Sequence, residues 1–246
     1  MTDAGGSGVP VTVVIPARDA AATITGTLAS ILGQTAGAPH VIVVDDGSTD
    51  GTADLALAAG AAVTVIKGAA LGPGAARNRG ASRAATPYLA FCDADDRWPP
   101  DRLERDLVVL DADPTIGILL GRMRFDTDDD ALLAHVRFDA PDRTSLVPHF
   151  GAATMRTAEF ADVGPIDETL ANYEDFEWFL RAREVPGRLV THDRVTLWSW
   201  RHADSLSHQH PATTRDMLRL LQRQALRQRA LGRDLPTLAD LRREVP

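Results

Sequence analysis

The sequence has a single cysteine, Cys92, in 246 residues. That excludes an intrachain disulfide and any zinc site built on cysteines, and it fits a reducing compartment. No apolar run approaches the roughly 20 residues needed to cross a bilayer, and residues 1–9 lack the basic and apolar regions of a signal peptide. A soluble, cytoplasmic protein is expected. Positive charge is also in short supply: the formal net charge is −8, with the acids in short clusters, so no nucleic-acid partner is expected. Gly72-Pro73-Gly74 lacks the Gly-Lys-Ser/Thr ending of a phosphate loop and reads as a turn into a helix. The acidic stretch 45–50 lacks the acid at the twelfth position that a calcium loop needs. There is no internal repeat and no linker-like segment, and the length suits one large α/β domain with a full core.

What is present is an alternation of short β-branched runs with helical stretches. Strands are expected over 11–15, 41–44, 62–66 and 88–92, and helices over 23–32, from 47 to about 59, 73–84 and 101–110. The pattern predicts an α/β fold, a mostly parallel central sheet flanked by helices in a single domain. The second half is less regular. A strand over 116–124 leads to an acidic loop holding Asp126, Asp128, Asp129 and Asp130, read as solvated, and then to a stretch at 150–155 and a helix after Asp175. Strands over 189–191 and 195–200 follow. The last element is an amphipathic helix over 213–231, with Arg215, Arg219, Arg223 and Arg227 four apart and Met217, Leu218, Leu221, Ala225 and Leu226 on an apolar face. A solvated charged face is the simplest reading. Peripheral membrane contact and homo-oligomer formation through this helix are its alternatives.

In open parallel sheets, ligands bind beyond the carboxyl ends of the strands. Three such ends are polar or acidic here: Pro16-Ala17-Arg18-Asp19, Asp45-Asp46-Gly47-Ser48 and Asp93-Ala94-Asp95-Asp96. Carboxylates gathered there repel one another, and a divalent cation relieves the repulsion. Magnesium and manganese bind through one or two carboxylates together with substrate phosphates. On an extended segment Asp93 and Asp95 share one face while Asp96 faces elsewhere, so one carboxylate would hold a ribose and another the metal.

Four segments in order resemble those of family-2 glycosyltransferases, the inverting enzymes with the GT-A fold. They are Val13-Val14-Ile15-Pro16-Ala17-Arg18-Asp19, Val44-Asp45-Asp46-Gly47-Ser48-Thr49-Asp50-Gly51-Thr52, Ala76-Arg77-Asn78-Arg79-Gly80, and Phe91-Cys92-Asp93-Ala94-Asp95-Asp96 with Trp98 and Pro99. The resemblance implies a GT-A nucleotide-diphospho-sugar transferase fold, a nucleotide diphosphate sugar donor carrying UDP or dTDP, and Mn²⁺ or Mg²⁺. Pro16, Ala17, Asp19, Asp46, Arg77, Asp93 and Ala94 would then bind the nucleotide sugar. Asp46 would take the imide N–H of the base, and Arg77 would lie near base and phosphates. Asp95 would be the leading metal ligand, with Asp96 a close alternative.

Tyr173-Glu174-Asp175-Phe176-Glu177-Trp178 resembles the family's acidic pair ahead of a helix. It implies that Asp175, with Glu174 beside it, deprotonates an acceptor hydroxyl of unknown identity. Favouring a helix N-terminus is the structural alternative for the pair. Val163-Gly164-Pro165-Ile166-Asp167-Glu168 resembles the family's connector, with the Pro and Ile as departures, and Trp200-Arg201-His202-Ala203-Asp204-Ser205 resembles a loop near the diphosphate, making His202 a third candidate metal ligand. The implied organisation is a flexible tail over 1–9 and a GT-A catalytic domain over 10–210. Within the domain the donor half covers about 10–110 and the acceptor half about 111–210; a C-terminal helix and tail over 211–246 complete the chain. Rival readings are a sugar nucleotidyltransferase, against which the lack of a Gly-rich loop ending in arginine counts, and a non-catalytic binding protein of the same fold.

Overall fold

The computed structural model describes residues 8–134, 136, 138–170, 172–185, 188–201, 214–232, 237 and 239–243, with side chains from 220 onward in the C-terminal helix. Most of the expected 1–9 tail and residues 202–213, His202 included, lie outside the described residues.

The strands β1 (Val11–Ala17), β2 (His40–Asp45), β3 (Val63–Lys67) and β4 (Tyr88–Phe91) form the parallel part of the sheet, paired β1 with β2, β2 with β3 and β1 with β4. Val13, Val14 and Ile15 are all fully buried, as are Val43 and Val44. Unbroken apolar runs of this kind mark strands covered on both faces, which is why they show no alternation. The helices between them are α1 (Ile24–Leu32), α2 (Thr52–Ala58) and α3 (Pro73–Ala81). Gly72, at φ +95°, turns the chain into Pro73 at the start of α3, as the sequence suggests. Gly80 lets α3 lie directly on β1, because a Cβ there would sit 2.2 Å from Val14 Cγ1.

Beyond β4 the sheet departs from a parallel plan. After α4 (Arg102–Ala112) come β5 (Ile118–Asp126), β6 (Thr144–Ser145) and β7 (Ala153–Arg156), then α5 (Thr157–Val163), α6 (Glu174–Ala182), β8 (Leu189–Trp200) and α7 (Thr214–Leu231). The strand order is β3-β2-β1-β4-β7-β5-β6, with β8 also on β5. β7 runs antiparallel to both β4 and β5, so the sheet is mixed, mostly and not wholly parallel. The two strands expected over 189–191 and 195–200 are one, β8. Its polar interruption at His192-Asp193-Arg194 is absorbed by register shifts opposite Leu120 to Met123.

Two devices fix the irregular half. Arg102 is fully buried, stacks 3.9 Å from the Trp98 ring, pairs with Asp106, and donates to the carbonyls of Gly151, Ala153 and Thr196. Thr154 Oγ1 donates to the same Asp106 at 2.6 Å, so the buried charge is neutralised and its donors are used. The second is aromatic: Phe91, Phe150, Phe160, Trp178 and Phe179 pack with ring centroids 5.0–5.6 Å apart. Each such pair adds about 0.5–1.5 kcal/mol beyond its burial.

Helix α7 corrects part of its sequence reading. Leu221 and Leu226 are exposed, whereas Arg223 pairs with Asp167 and Arg227 with Glu184, so two of the arginines face the domain. No helix among the described residues is long and apolar enough to cross a membrane.

Candidate active site

The order 3-2-1-4 places a switch point at β1 and β4, and the acidic segments sit beyond the carboxyl ends there. The loops after β1 and β2 are tied together. Asp19 N donates to Ser48 Oγ at 3.0 Å, Thr49 N donates to Asp19 Oδ1 at 2.8 Å, and Asp46 N donates to the Ala17 carbonyl at 2.8 Å. Pro16 is the residue before Ala17 at the end of β1, so these predicted donor-site residues do converge. The buried Asp46 carboxylate accepts from Gly72 N at 2.8 Å and Leu71 N at 3.3 Å, and it borders a cleft of about 300 Å³ that Leu71, Ala76, Asn78 and Glu168 also line. Gly68 is required by its closeness to Asp46, whose Cα would lie 2.8 Å from an added Cβ.

The segment after β4 is not extended as expected. Asp96 N bonds back to the Asp93 carbonyl at 3.2 Å, with Ala94 and Asp95 at the corner of the turn. The turn brings Asp96 near Asp93, with carboxylate oxygens within 4.8 Å of each other. Ala94 is buried, and its carbonyl accepts from Thr27 Oγ1 at 2.8 Å. Burial and the neighbouring Asp95 and Asp93 push the Asp96 carboxyl well above the usual carboxylate range.

Arg77, on α3, joins this turn to the acidic pair of the second half. Its guanidinium is buried and lies 2.7 Å from Asp93 Oδ1, 2.8 Å from Glu174 Oε1 and 3.6 Å from Asp175 Oδ1. Burial opposes its charge, yet the carboxylates of Asp93, Asp175 and Glu174 bind its proton more firmly than in an ordinary arginine. Asp93 is affected in the opposite sense: burial would raise its pKa, and Arg77, joined by His149 and Arg201, outweighs that and lowers it. Burial, reinforced by Asp175 and offset in part by Arg77, raises Glu174. Arg77 therefore spends two of its nitrogens on the acids of both halves, a placement deeper than the phosphate-facing one the resemblance implies.

Glu174 and Asp175 open α6 at an unusual backbone step, since Tyr173 has φ +65°. Asp175 Oδ2 accepts from Phe150 N at 2.9 Å. Trp178 and Phe179, one turn further on, belong to the aromatic cluster with Phe150 and Phe91, so one patch of core sets the relative positions of Asp93, Asp175 and the turn at 150. The unusual connector is anchored as well. Asn78 holds Ile166 through both its main-chain N–H and carbonyl at 2.9 Å, and the Ile166 side chain is buried against Gly74 of α3.

His149 completes the site and has no sequence signal, since it is a lone histidine in an irregular stretch. Its Nε2 lies 3.7 Å from Asp93 Oδ2 and 3.8 Å from Asp175 Oδ2. Among the described residues, Asp93, Asp96 and His149 form the one group of potential ligands whose atoms all lie within 4.8 Å of one another. Two carboxylates, one carrying a charge that burial disfavours, are a donor set that fits Mg²⁺ or Mn²⁺. The acids of the 126–130 loop form no such group; Asp126 pairs with Arg124 and Asp130 with Arg143.

The sequence matches the family model described as Glycosyl transferase family 2 over residues 12–162. The chain belongs to glycosyl transferase family 2. A pre-mycofactocin glycosyltransferase of Mycobacterium tuberculosis is 32% identical over 213 residues, covering 77% of this chain and 44% of that protein. The putative teichuronic acid biosynthesis glycosyltransferase TuaG of Bacillus subtilis is 38% identical over 101 residues, 39% of this chain and 40% of TuaG. The chain thus spans less than half of these relatives. Among solved structures, S. aureus TarS 1-349 in complex with UDP-GlcNAc superposes with a TM-score of 0.71 at 20% identity, covering 94% of this chain and 69% of that one. The mannosyltransferase PcManGT from Pyrobaculum calidifontis, in complex with GDP-Man and Mn²⁺, gives 0.63 at 19% identity over 89% and 64%. These likenesses establish the shared GT-A fold for this family 2 chain.

Proposed function

We propose that the chain transfers a sugar from a nucleotide diphosphate sugar, with UDP or dTDP as the nucleotide, to an acceptor hydroxyl, inverting the anomeric centre. One observation carries this reading: Arg77 binds Asp93 of the donor half and Glu174 of the acceptor half within 2.8 Å, which draws the strand-end acids and the proposed base into one cluster. Family membership and the ligands carried by TarS and PcManGT support it.

In this reading the Asp46 edge of the cleft takes the base, and Pro16, Ala17, Asp19 and Ala94 keep their proposed place in the nucleotide-sugar site. Asp93 and Asp96, with Asp95 at the same turn, hold Mn²⁺ or Mg²⁺, which when bound supplies positive charge to the departing diphosphate. His202 keeps its proposed place near that group. Asp175 takes the proton from the acceptor hydroxyl as its oxygen bonds to the anomeric carbon. The bond from that carbon to the diphosphate oxygen breaks, and its electron pair leaves with the nucleotide. Arg77, 3.6 Å from its Oδ1, holds Asp175 in place. The bond from Phe150 N does the same, so the base needs little reorientation on binding.

Calorimetric titration of UDP, dTDP and GDP with and without Mn²⁺, followed by incubation with their sugars, tests the assignment. Cation-dependent binding of UDP or dTDP is expected. Equal, cation-independent binding of all three contradicts the proposed donor site.

A further inference from the structure

We infer that His149 is a positioning residue that bridges the donor acid Asp93 and the base Asp175, and that it is not a metal ligand. The inference rests on the reading of Asp175 as the base. His149 Nδ1 accepts a hydrogen bond from Gly151 N at 3.0 Å, as the cap of the short helical turn Phe150–Ala152. A neutral imidazole has one acceptor nitrogen and one donor nitrogen, so Nε2 carries the hydrogen. That hydrogen faces Asp93 Oδ2 and Asp175 Oδ2 at nearly equal distances, 3.7 and 3.8 Å.

The same two aspartates turn their other oxygens to Arg77: Asp93 Oδ1 at 2.7 Å and Asp175 Oδ1 at 3.6 Å. Arg77, Asp93, His149 and Asp175 therefore close a ring in which hydrogen donors and carboxylates alternate. At 3.7–3.8 Å the Nε2–H is just outside bonding distance of either acid, and a shift of under an ångström commits it to one of them. While Asp93 is unengaged the two acids compete for it. Once the cation that accompanies a nucleotide sugar engages Asp93, Nε2–H turns to Asp175 and, with Phe150 N, fixes that carboxylate's Oδ2. Donor binding and orientation of the base are coupled through this one ring.

Ligation of a cation through Nε2 demands the opposite tautomer. Nδ1 would then carry a hydrogen facing the Gly151 N–H, two donors against each other, and the buried Gly151 amide would lose its acceptor. Asp93 and Asp96 are left as the oxygen donors of the three-residue group.

Two variants separate the halves of the imidazole. His149→Asn keeps an acceptor at the δ position for Gly151 N and removes the ε donor; His149→Gln keeps an N–H near the ε position and removes the cap. Turnover is read as nucleoside diphosphate released from a UDP-sugar with Mn²⁺ and water as acceptor. The expected result is that His149→Asn lowers kcat by about 10- to 100-fold with the donor KM changed by less than about threefold. His149→Gln recovers most of that loss, and neither variant alters Mn²⁺ affinity in calorimetry with UDP. The reverse order, with Asn active and Gln inactive, shows a cap alone and overturns the proposal, as does full activity of both. Weakened Mn²⁺ binding by both shows a ligand and overturns it too. If both lose turnover, ¹⁵N NMR of the wild-type imidazole with Mg²⁺ and UDP decides: an Nε2–H tautomer supports the bridge, and an Nδ1–H tautomer refutes it. Wild-type protein that turns over no sugar nucleotide would count against the transferase reading, while the NMR result, which needs no turnover, still decides the tautomer.

Discussion

Asp96 is the residue whose charge the fold tolerates least. Its carboxyl is buried and stands beside Asp93 and Asp95, so its folded pKa lies above the unfolded value of 3.8. The folded state therefore keeps a proton that the unfolded chain has given up, and stability is lost as pH rises from the unfolded pKa towards the folded one. Asp96→Asn removes that loss. Thermal melts without divalent cation are expected to show a higher Tm for the variant than for wild type at pH 8, with the gap closing at pH 4, and the variant should no longer gain Tm from Mn²⁺. A lower Tm at pH 8 would contradict the account of the site charge. Gly68→Ala acts in the cleft beside Asp46. Its methyl must displace Asp46, so UDP binding measured by calorimetry should weaken by about tenfold or more, the scale of one lost polar contact. At this scale the acids Asp46, Asp93 and Asp175 stand out in the sequence because they follow strands or precede a helix in recognisable strings, whereas the turn that sets Asp96 near Asp93 does not, and the sequence puts Asp95 first. His149 does not stand out either. Its role depends on a turn that reverses at Phe150, and nothing local distinguishes it from a surface histidine.

Elements place these residues through close contacts that tolerate little change. Gly80 permits α3 to rest on Val14 of β1, and α3 carries both Arg77 and Asn78. Gly80→Ala forces α3 away from the sheet, and overpacking of this kind costs about 1–3 kcal/mol. Denaturant melts should show that loss together with weaker UDP binding, since Arg77 moves with the helix. A variant with wild-type stability would mean that the helix is free to shift. The parallel strands β1 to β4 and helices α1 to α4 were legible from apolar runs and helical spacing. β7 and β8 were less so. β7 is four residues long and pairs antiparallel between β4 and β5, and long-range pairing leaves no local period to read. β8 carries a polar bulge in mid-strand, which resembles a loop in the sequence and is held instead by pairing to β5. The apolar face assigned to α7 failed in part for a related reason: Arg223 and Arg227 find acids on the connector and just after α6, which no helical-wheel reading contains.

For the molecule as a whole, one buried arginine, Arg77, ties the acid after β4 to the acidic pair that opens α6; the resemblance implies a place near the phosphates, and the guanidinium lies between carboxylates. Arg77→Met leaves Asp93, Glu174 and Asp175 without their shared cation. Breaking a buried ion pair from one side costs about 3–5 kcal/mol, so denaturant melts at pH 7 should show a loss of that size, recovered in part at pH 5 as Glu174, already raised, takes up a proton. The central claim is that this joined site transfers sugar with Asp175 as the base, and single-turnover release of nucleoside diphosphate from a UDP- or dTDP-sugar by Asp175→Asn tests it most directly. The account predicts wild-type affinity for the diphosphate with Mn²⁺ and a rate lowered by about 10²- to 10⁴-fold. Wild-type turnover by Asp175→Asn would contradict it.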